Sequence, residues 1–482
     1  MSADLVVLGL GAAGMAAAIR AADLGAKVTI LERQPSDAHT PGLRMSAGMV
    51  MVTSGENATP YLDACAGPLV PHAVNQAWAR RAEQLPAWLT KAAAGLTFTR
   101  CAGPEHPDLP GADAVWVQQP GESAVRLDPA GGGGRAVYTQ LRRTLESDTN
   151  IEIRWDTRAV KLLKDAKSGV RGVSTDSSES VRCAGVILAT GGFEFDGQAK
   201  LTYLGSHPTY FYTNPGNTGD GLRMAQAMGA DLWHMSVVGG RGVIAFQDGG
   251  TMQAFHTRIA PPGYVITDRH GFRYADEESQ ARQDHTFYNR MLEFDGARNV
   301  YPRIPSYWFF DRRRLLAAPL ATTHIGAIAV GLSHWSDDNR DEIEKGWIAC
   351  GDSIPEAARS AGMEHPEQAE LTIREYNAAC QAGRDPLGRP AGSLVPLDSP
   401  PYCCVKLWPG GSNTAGGPRR NESAQVLDVY GQPIRGLFAA GSLGQAVGAV
   451  YPAAGANLSE AFCFGQVAAE SALGHRSGGA AR

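Results

Sequence analysis

An α/β fold is predicted by three stretches of the 482-residue chain. The first is a strand that runs straight into glycines, Asp4-Leu5-Val6-Val7-Leu8-Gly9-Leu10-Gly11-Ala12-Ala13-Gly14, followed by a small-residue helix, Met15 to Leu24, and a second strand, Val28 to Glu32. The second is Gly185-Val186-Ile187-Leu188-Ala189-Thr190-Gly191-Gly192-Phe193, whose apolar run suits a strand buried on both faces of a parallel sheet. The third, Gly436-Leu437-Phe438-Ala439-Ala440-Gly441-Ser442, repeats that pattern near the C-terminus. One nucleotide-binding domain is therefore built from both ends of the chain.

Each element follows from its residues. Gly9 permits the tight turn, Gly11 lets the backbone approach a pyrophosphate at the helix N-terminus, and Gly14 lets helix and strand pack closely, with Ala13 in the same turn. Glu32, about 20 residues on and followed by Arg33, is placed to accept ribose hydroxyls. Together these read as a site for FAD or NAD. Ala189, Thr190 and Gly191 let the second strand stop against the cofactor, and Gly441 and Ser442 do the same for the third. Ile151–Arg154 and Gly169–Thr175 read as a β-hairpin region. Gly131 to Gly134 lead into a helical stretch from Ala136 and read as a helix start near the ligand. Asn457 opens the last helix as N-cap, with Glu460 at capping-box spacing.

Composition excludes several classes. The net charge of -5, with Lys and Arg scattered, gives no basic footprint for nucleic acid. The apolar N-terminal run is too short to span a bilayer and belongs to the nucleotide fold, so it reads as neither signal peptide nor anchor. The eight cysteines show no CxxC spacing, no metal set and no redox pairing, which fits a reduced cytoplasm.

Several motifs jointly resemble the FAD-dependent fumarate reductase and 3-ketosteroid dehydrogenase superfamily across nearly the whole chain. They are Gly9 to Gly14 with Glu32; Gly42 to Gly48, including Met45, Ser46 and Gly48, where the family has its flavin loop; Ala189 to Phe193; Thr218-Gly219-Asp220-Gly221; Gly271 to Glu277; and Gly436 to Gly441. The resemblance implies a Rossmann-like FAD-binding domain over residues 1–250 and 398–482, with an inserted α+β cap (substrate) domain over 251–397. In the family, reaction occurs where cap meets isoalloxazine. Succinate dehydrogenases carry a histidine in the loop matching residues 42 to 52, whereas this chain has only His39, so FAD is expected to be non-covalent.

The C-terminal block selects the branch. Tyr451-Pro452-Ala453-Ala454-Gly455-Ala456-Asn457 looks like the block whose tyrosine hydroxyl and glycine N–H bind the substrate ketone in 3-ketosteroid Δ1-dehydrogenases, roles that map onto Tyr451 and Gly455. Two donors aimed at a carbonyl stabilise the enolate that forms as the α-proton leaves. The N–H groups of Asn457 and Leu458 are then expected at the flavin N1/C2=O edge. The implied activity is α,β-desaturation of a cyclic ketone, a 3-ketosteroid or a small monocyclic ketone such as 4-oxocyclohexanecarboxylate, with hydride passing to flavin N5. The alternative is a flavin-dependent enone or fumarate-type C=C reductase. Fumarate reductases place a histidine before their Thr-Met-Gly-Gly stretch, and here Ser412 and Asn413 precede Thr414-Ala415-Gly416-Gly417. The family's base tyrosines fall near Ala281 and in Val115 to Pro120, neither of which has a tyrosine, so His285 or Tyr288 is the expected base. Arg282 or Arg258 is placed to pair with a ring carboxylate and Trp116 to narrow the cleft, while Asp276 and Glu277 read as cap-to-flavin-domain hydrogen bonders and Arg389 as part of a surface turn. The electron acceptor, whether oxygen, a quinone or a protein, is not specified by any motif.

Overall fold

A computed structural model describes residues 3–121, 132–165, 169–248, 251–278 and 284–477. It divides into two compact units. The first contains Met1–Leu204, Thr213–Val238 and Asn413–Arg482, and the second Gly205–Tyr212 and Gly239–Ser412.

The first unit is built on a six-stranded sheet whose central strand is Leu5–Leu8. Gly185–Leu188 and Val28–Leu31 flank it in parallel, and Pro433–Ala439 and Ile151–Arg154 extend the sheet outward, also in parallel. All four residues of Leu5–Leu8 and of Gly185–Leu188 are buried, as expected of strands covered on both faces. Helix Ala12–Asp23 lies against the C-terminal helix Ala456–Ser477. Small residues make that approach possible, since a Cβ on Gly465 would stand 2.4 Å from the Ala13 carbonyl oxygen. The β-hairpin region expected over residues 151 to 192 forms with a different first strand: Ile151–Arg154 joins the parallel sheet, while Ala159–Asp165, Gly169–Thr175 and Ser180–Arg182 pair antiparallel in a separate three-stranded sheet. Asp156, at φ 51, lies in the connection that separates them.

The second unit is organised round a seven-stranded sheet whose main path runs Thr251–Phe255, Val238–Asp248, Tyr402–Thr414, Ser306–Asp311, Tyr264–Thr267, with Tyr210–Phe211 and Ala349–Gly351 each pairing with Tyr402–Thr414. Residues 239–248 and 402–412 are strands of this sheet, which is why they group here rather than with the nucleotide-binding residues as the boundaries at 250 and 398 would have it. Along Ser306–Asp311 the side chains alternate, with Trp308 and Phe310 entering one apolar cluster and Tyr307 and Phe309 the other. Helices Ile354–Ser360 and Pro366–Ala382 supply the second cluster with Ala357, Ala358, Ile373 and Tyr376.

Cys350 and Cys403 face each other on neighbouring antiparallel strands and form a disulfide. This corrects the expectation of no cysteine pairing: residues 53 apart in sequence carry no spacing signal until the sheet aligns them. Among the described residues, no helix is long and apolar enough to cross a membrane.

Candidate active site

The glycine turn of the first unit has the geometry its sequence demands. Gly9 adopts φ +92, and a Cβ there would lie 2.6 Å from the Ala189 carbonyl oxygen; one on Gly14 would lie 2.0 Å from the Gly9 carbonyl oxygen. Gly11 differs, with nothing within 4 Å of its Cβ position, which leaves the helix N-terminus approachable by a phosphate group. Glu32 closes the turn: its Oε2 accepts from Leu10 N at 2.8 Å, its Oε1 accepts from Gln34 N at 2.8 Å, and His39 Nε2 lies 3.5 Å away. Burial pushes the Glu32 carboxyl up, but His39 and the backbone N–H groups outweigh burial and hold it below the usual carboxylate range.

Arg33 reaches across to the Thr218 loop, donating to Gly216 O at 3.0 Å and Thr218 Oγ1 at 2.7 Å, and it pairs with Asp220 at 3.4 Å. Asp220 is also held by Arg158 at 2.7 Å and Arg223 at 2.6 Å. Burial raises its carboxyl, and the three guanidinium groups bring it below the ordinary value. Arg158 and Arg223 carried no motif of their own, so only the fold reveals them.

The expected flavin loop packs backbone to backbone on the start of helix Gly133–Ser147. A Cβ on Gly48, at φ +75, would meet Gly133 C at 2.5 Å, and one on Gly134 would meet Ser46 O at 2.3 Å. Ser46 Oγ donates to Leu43 O at 2.7 Å and accepts from Gly48 N at 3.1 Å, and Met45 is buried beside them. Ala189 is buried at the end of its strand, Gly191 stands at φ +74 against Asn217, and Gly441 at φ +76 lies over Ala13. The buried Thr190 Oγ1 has no hydrogen-bond partner among the described residues. An orphaned hydroxyl, an open Gly11 and a held acid at Glu32 together fit a dinucleotide. Ser442 is half-buried at the same strand end.

Tyr451 is buried, and its hydroxyl oxygen accepts from Asn457 N at 3.1 Å. Gly455, at φ +79, packs so tightly that a Cβ would stand 2.4 Å from Met49 O. A polar cluster missed by the sequence reading supports this turn: Asn457 Nδ2 donates to Asn413 Oδ1 at 2.6 Å, Asn413 Nδ2 to Gln445 Oε1 at 3.2 Å, and Gln445 Nε2 to Asn457 O at 3.1 Å. The asparagine before Thr414 was its one visible signal. Two expectations change here. Asn457 lies inside the helix, which begins at Ala456, and its N–H goes to Tyr451 rather than to a flavin edge. Glu460 makes no capping box, because the buried Arg420 guanidinium and Ala446 N at 3.1 Å take its carboxylate. Leu458 is half-buried in the first turn of the helix. Trp116 stands on Val115–Pro120, half-buried, with the Arg100 guanidinium 5.5 Å from its ring centre.

In the second unit, Tyr288 lies on helix Asp284–Met291 and packs on Gly240, where a Cβ would stand 2.5 Å from its Cγ. Burial pushes its hydroxyl up to about 12, against the neighbouring Ser206 and Thr209 hydroxyls, which makes phenolate costly to form. His285 precedes it by one turn on the same helix. Arg282 and Ala281 fall outside the described residues. Arg258 is exposed, and its carbonyl accepts from the buried Arg314. Glu277 bonds inside its own unit: it accepts from Arg273 at 2.8 and 2.6 Å and from Ile266 N at 3.2 Å, and lies 3.4 Å from Arg389. Arg389 is thus fully buried rather than part of a surface turn, donating also to Tyr264 O at 2.7 Å.

The chain belongs to the FAD binding domain family, whose pattern matches residues 4–458. Among curated relatives it is 27% identical to 4-oxocyclohexanecarboxylate 2-dehydrogenase of Sinomonas cyclohexanicum, over 98% of this chain and 93% of that one. It is 26% identical to urocanate reductase of Eggerthella lenta, over 97% of this chain and 74% of that one. In fold it is similar to 3-ketosteroid delta1-dehydrogenase of Sterolibacterium denitrificans, with a TM-score of 0.83 and 22% identity over 98% of this chain and all of the other.

Proposed function

We propose that the protein is an FAD-dependent dehydrogenase that introduces an α,β double bond into a cyclic ketone, either a 3-ketosteroid or a small monocyclic ketone such as 4-oxocyclohexanecarboxylate. The observation that carries this reading is the Tyr451 hydroxyl held by the Asn457 N–H at the start of the C-terminal helix. A hydroxyl that accepts from a helix N-terminal amide is polarised toward donation, which suits it to a ketone oxygen that gains negative charge. Full-length similarity to a ketone dehydrogenase supports the same reading.

In this mechanism Tyr451 Oη–H and Gly455 N–H hold the carbonyl and favour the enolate. His285 takes the α-proton, a role better suited to imidazole near neutral pH than to Tyr288 with its hydroxyl raised to about 12. Bound FAD supplies the acceptor for the β-hydride. Gly9, Gly11, Gly14, Glu32, Arg33, Asp220 and the Met45–Gly48 loop hold it without a covalent bond. We propose a cytoplasmic location, as the scattered cysteines without CxxC spacing suggest. The Cys350–Cys403 disulfide weighs against that placement, since such bonds are rare there.

The test is an anaerobic titration of the yellow protein with 4-oxocyclohexanecarboxylate, cyclohexanone and 3-ketosteroids, following the flavin band. Bleaching by one ketone establishes desaturation. Reoxidation of chemically reduced protein by enones or fumarate, without bleaching by any ketone, would instead establish a C=C reductase, the direction of the urocanate reductase relative.

A further inference from the structure

We propose that His270, Glu364 and His365 of the second unit form a binding site for a divalent transition metal, zinc being the ion whose chemistry they fit. None of the three has a part in the proposed desaturation, so the inference stands apart from that reading.

The three residues come from two turns. His270 lies in the turn after strand Tyr264–Thr267, which Asp268 closes: its Oδ1 accepts from His270 N and from Phe272 N, each at 2.9 Å. Glu364 and His365 stand directly before helix Pro366–Ala382, with His365 at the N-cap position and its carbonyl accepting from Gln368 N at 3.2 Å. Gly271 locks one turn to the other. At φ +90 it packs so closely that a Cβ would lie 2.8 Å from Ala369 N and 3.1 Å from Gln368 C. Two rigid turns, distant in sequence, thus present their side chains to one place. One ligand atom from each of the three lies within 4.8 Å of the other two, and the rings of His270 and His365 have their centres 5.6 Å apart.

Two imidazoles and one carboxylate are a donor set that zinc takes, with a fourth position left for water. Magnesium and calcium prefer oxygen alone, so the two rings select against them. A second observation points to a ligand. His270 Nε2 is buried and has no hydrogen-bond partner among the described residues. An unpaired buried nitrogen is costly, and coordination would satisfy it. The Arg269 guanidinium bonds to Glu364 Oε1 and so orients the carboxylate, as the outer partners of metal-bound carboxylates do, which makes Oε2 the donor. Zinc ligands about 2.0–2.2 Å from the ion stand roughly 3.4 Å from one another, so the set must close by roughly an ångström. Glu364 and His365 are exposed, and their side chains can make that adjustment without moving either turn. A bound ion then ties the turn after Tyr264–Thr267 to the start of helix Pro366–Ala382 and stabilises the second unit.

Calorimetric titration of the FAD-loaded protein, freed of metal by dialysis against a chelator, with zinc chloride and separately with magnesium chloride tests the site. One zinc per chain should bind, at least about a hundredfold more tightly than magnesium. His270→Ala and His365→Ala should each weaken zinc by at least about tenfold, and Glu364→Gln by a smaller factor. His334→Ala is the control, since that exposed ring faces Asp341 at 4.0 Å elsewhere in the unit, and it should change nothing. Zinc should raise the thermal unfolding midpoint of the parent protein and leave that of His365→Ala in place. Should His270→Ala fold poorly, His365→Ala, altered at an exposed position, decides the matter. Several weak zinc ions per chain that the His270 and His365 variants leave unchanged would mean adventitious binding only and overturn the inference. Equal affinity for zinc and magnesium, or equal loss in His334→Ala and His365→Ala, would overturn it as well.

Discussion

The glycine turn of the first unit and the charge cluster of the second deal with polar groups in opposite ways. At the turn, the decisive contacts are made by backbone and one acid close in sequence: Glu32 closes on Leu10, 22 residues away, and the glycines need only their own conformations. In the second, Arg273 finds Asp385 across 112 residues, and Glu277 and Arg389 complete a fully buried set of charges that no local pattern announces. A site built from main-chain geometry tolerates no added atom, whereas one built from buried charges tolerates no missing one. That difference orders the tests below.

The most severe effect is expected at Gly14→Ala. The new Cβ would stand 2.0 Å from the Gly9 carbonyl oxygen, which cannot move without displacing the end of strand Leu5–Leu8. FAD per chain, measured by absorbance after purification, should fall to near zero. Gly25→Ala is the matching control, since nothing lies within 4 Å and only its φ of +81 opposes a side chain, at a cost of about 1 kcal/mol. If both variants hold FAD equally well, close packing is not what fixes the turn.

Removing a charge should hurt the second unit nearly as much. Glu277→Ala leaves Arg273 and Arg389 buried without one of their carboxylates, a loss of about 3–5 kcal/mol. Thermal unfolding should report it as a large drop in midpoint. A change within about 0.5 kcal/mol, as for an ordinary surface site, would mean that water reaches the cluster.

Tyr451→Phe addresses chemistry alone. Loss of one oxyanion donor should reduce the rate of flavin bleaching by ketone by about a hundredfold to a thousandfold with FAD content unchanged. Unaltered bleaching would remove Tyr451 from the carbonyl and leave its bond from Asn457 as a packing feature.

The same contrast explains what the sequence revealed. The parallel strands, the glycine turn, Glu32 and the small-residue strand ends were legible because each is written in a short run of consecutive residues or, for Glu32, within one βαβ unit. Arg33 and Asp220 were named separately, and the fold showed that they belong to one cluster with Arg158 and Arg223. Glu277 and Arg389 were misplaced because motif position says nothing about which distant side chain will neutralise a charge. Asn457 misled for a subtler reason: cap chemistry is local, but here Gly455 and the Tyr451 hydroxyl occupy the helix start first. The cysteine pair was invisible because strand register, not spacing, brings it together.

Glu194 offers a pH test within the first unit. It accepts from Thr414 N at 2.7 Å and Thr414 Oγ1 at 3.2 Å, yet burial pushes its carboxyl up to about 7. Because the folded state holds that proton more tightly than the unfolded chain, stability falls as pH rises from the unfolded value through about 7. Glu194→Gln should remove that slope and recover about 3 kcal/mol relative to the parent protein between pH 4.5 and 7. Parallel pH profiles of unfolding for the two proteins would mean that Glu194 is ionised in the fold and compensated by its neighbours.

The smallest expected effect uses one helix cap from each unit. Ser353 Oγ accepts from Glu356 N at 3.3 Å, and Asp196 Oδ1 accepts from Ala199 N at 3.0 Å while its Oδ2 pairs with Arg223. Alanine at either position should cost about 1 kcal/mol, with Asp196→Ala exceeding Ser353→Ala by no more than the fraction of a kcal/mol that a largely exposed ion pair contributes. Chemical denaturation resolves differences of that size when both variants share one slope. Near-equality would confine the contrast between the units to their buried sites. A Ser353→Ala loss approaching that of Glu277→Ala would show instead that the whole second unit is marginal, and that its buried charges are not where its stability is decided.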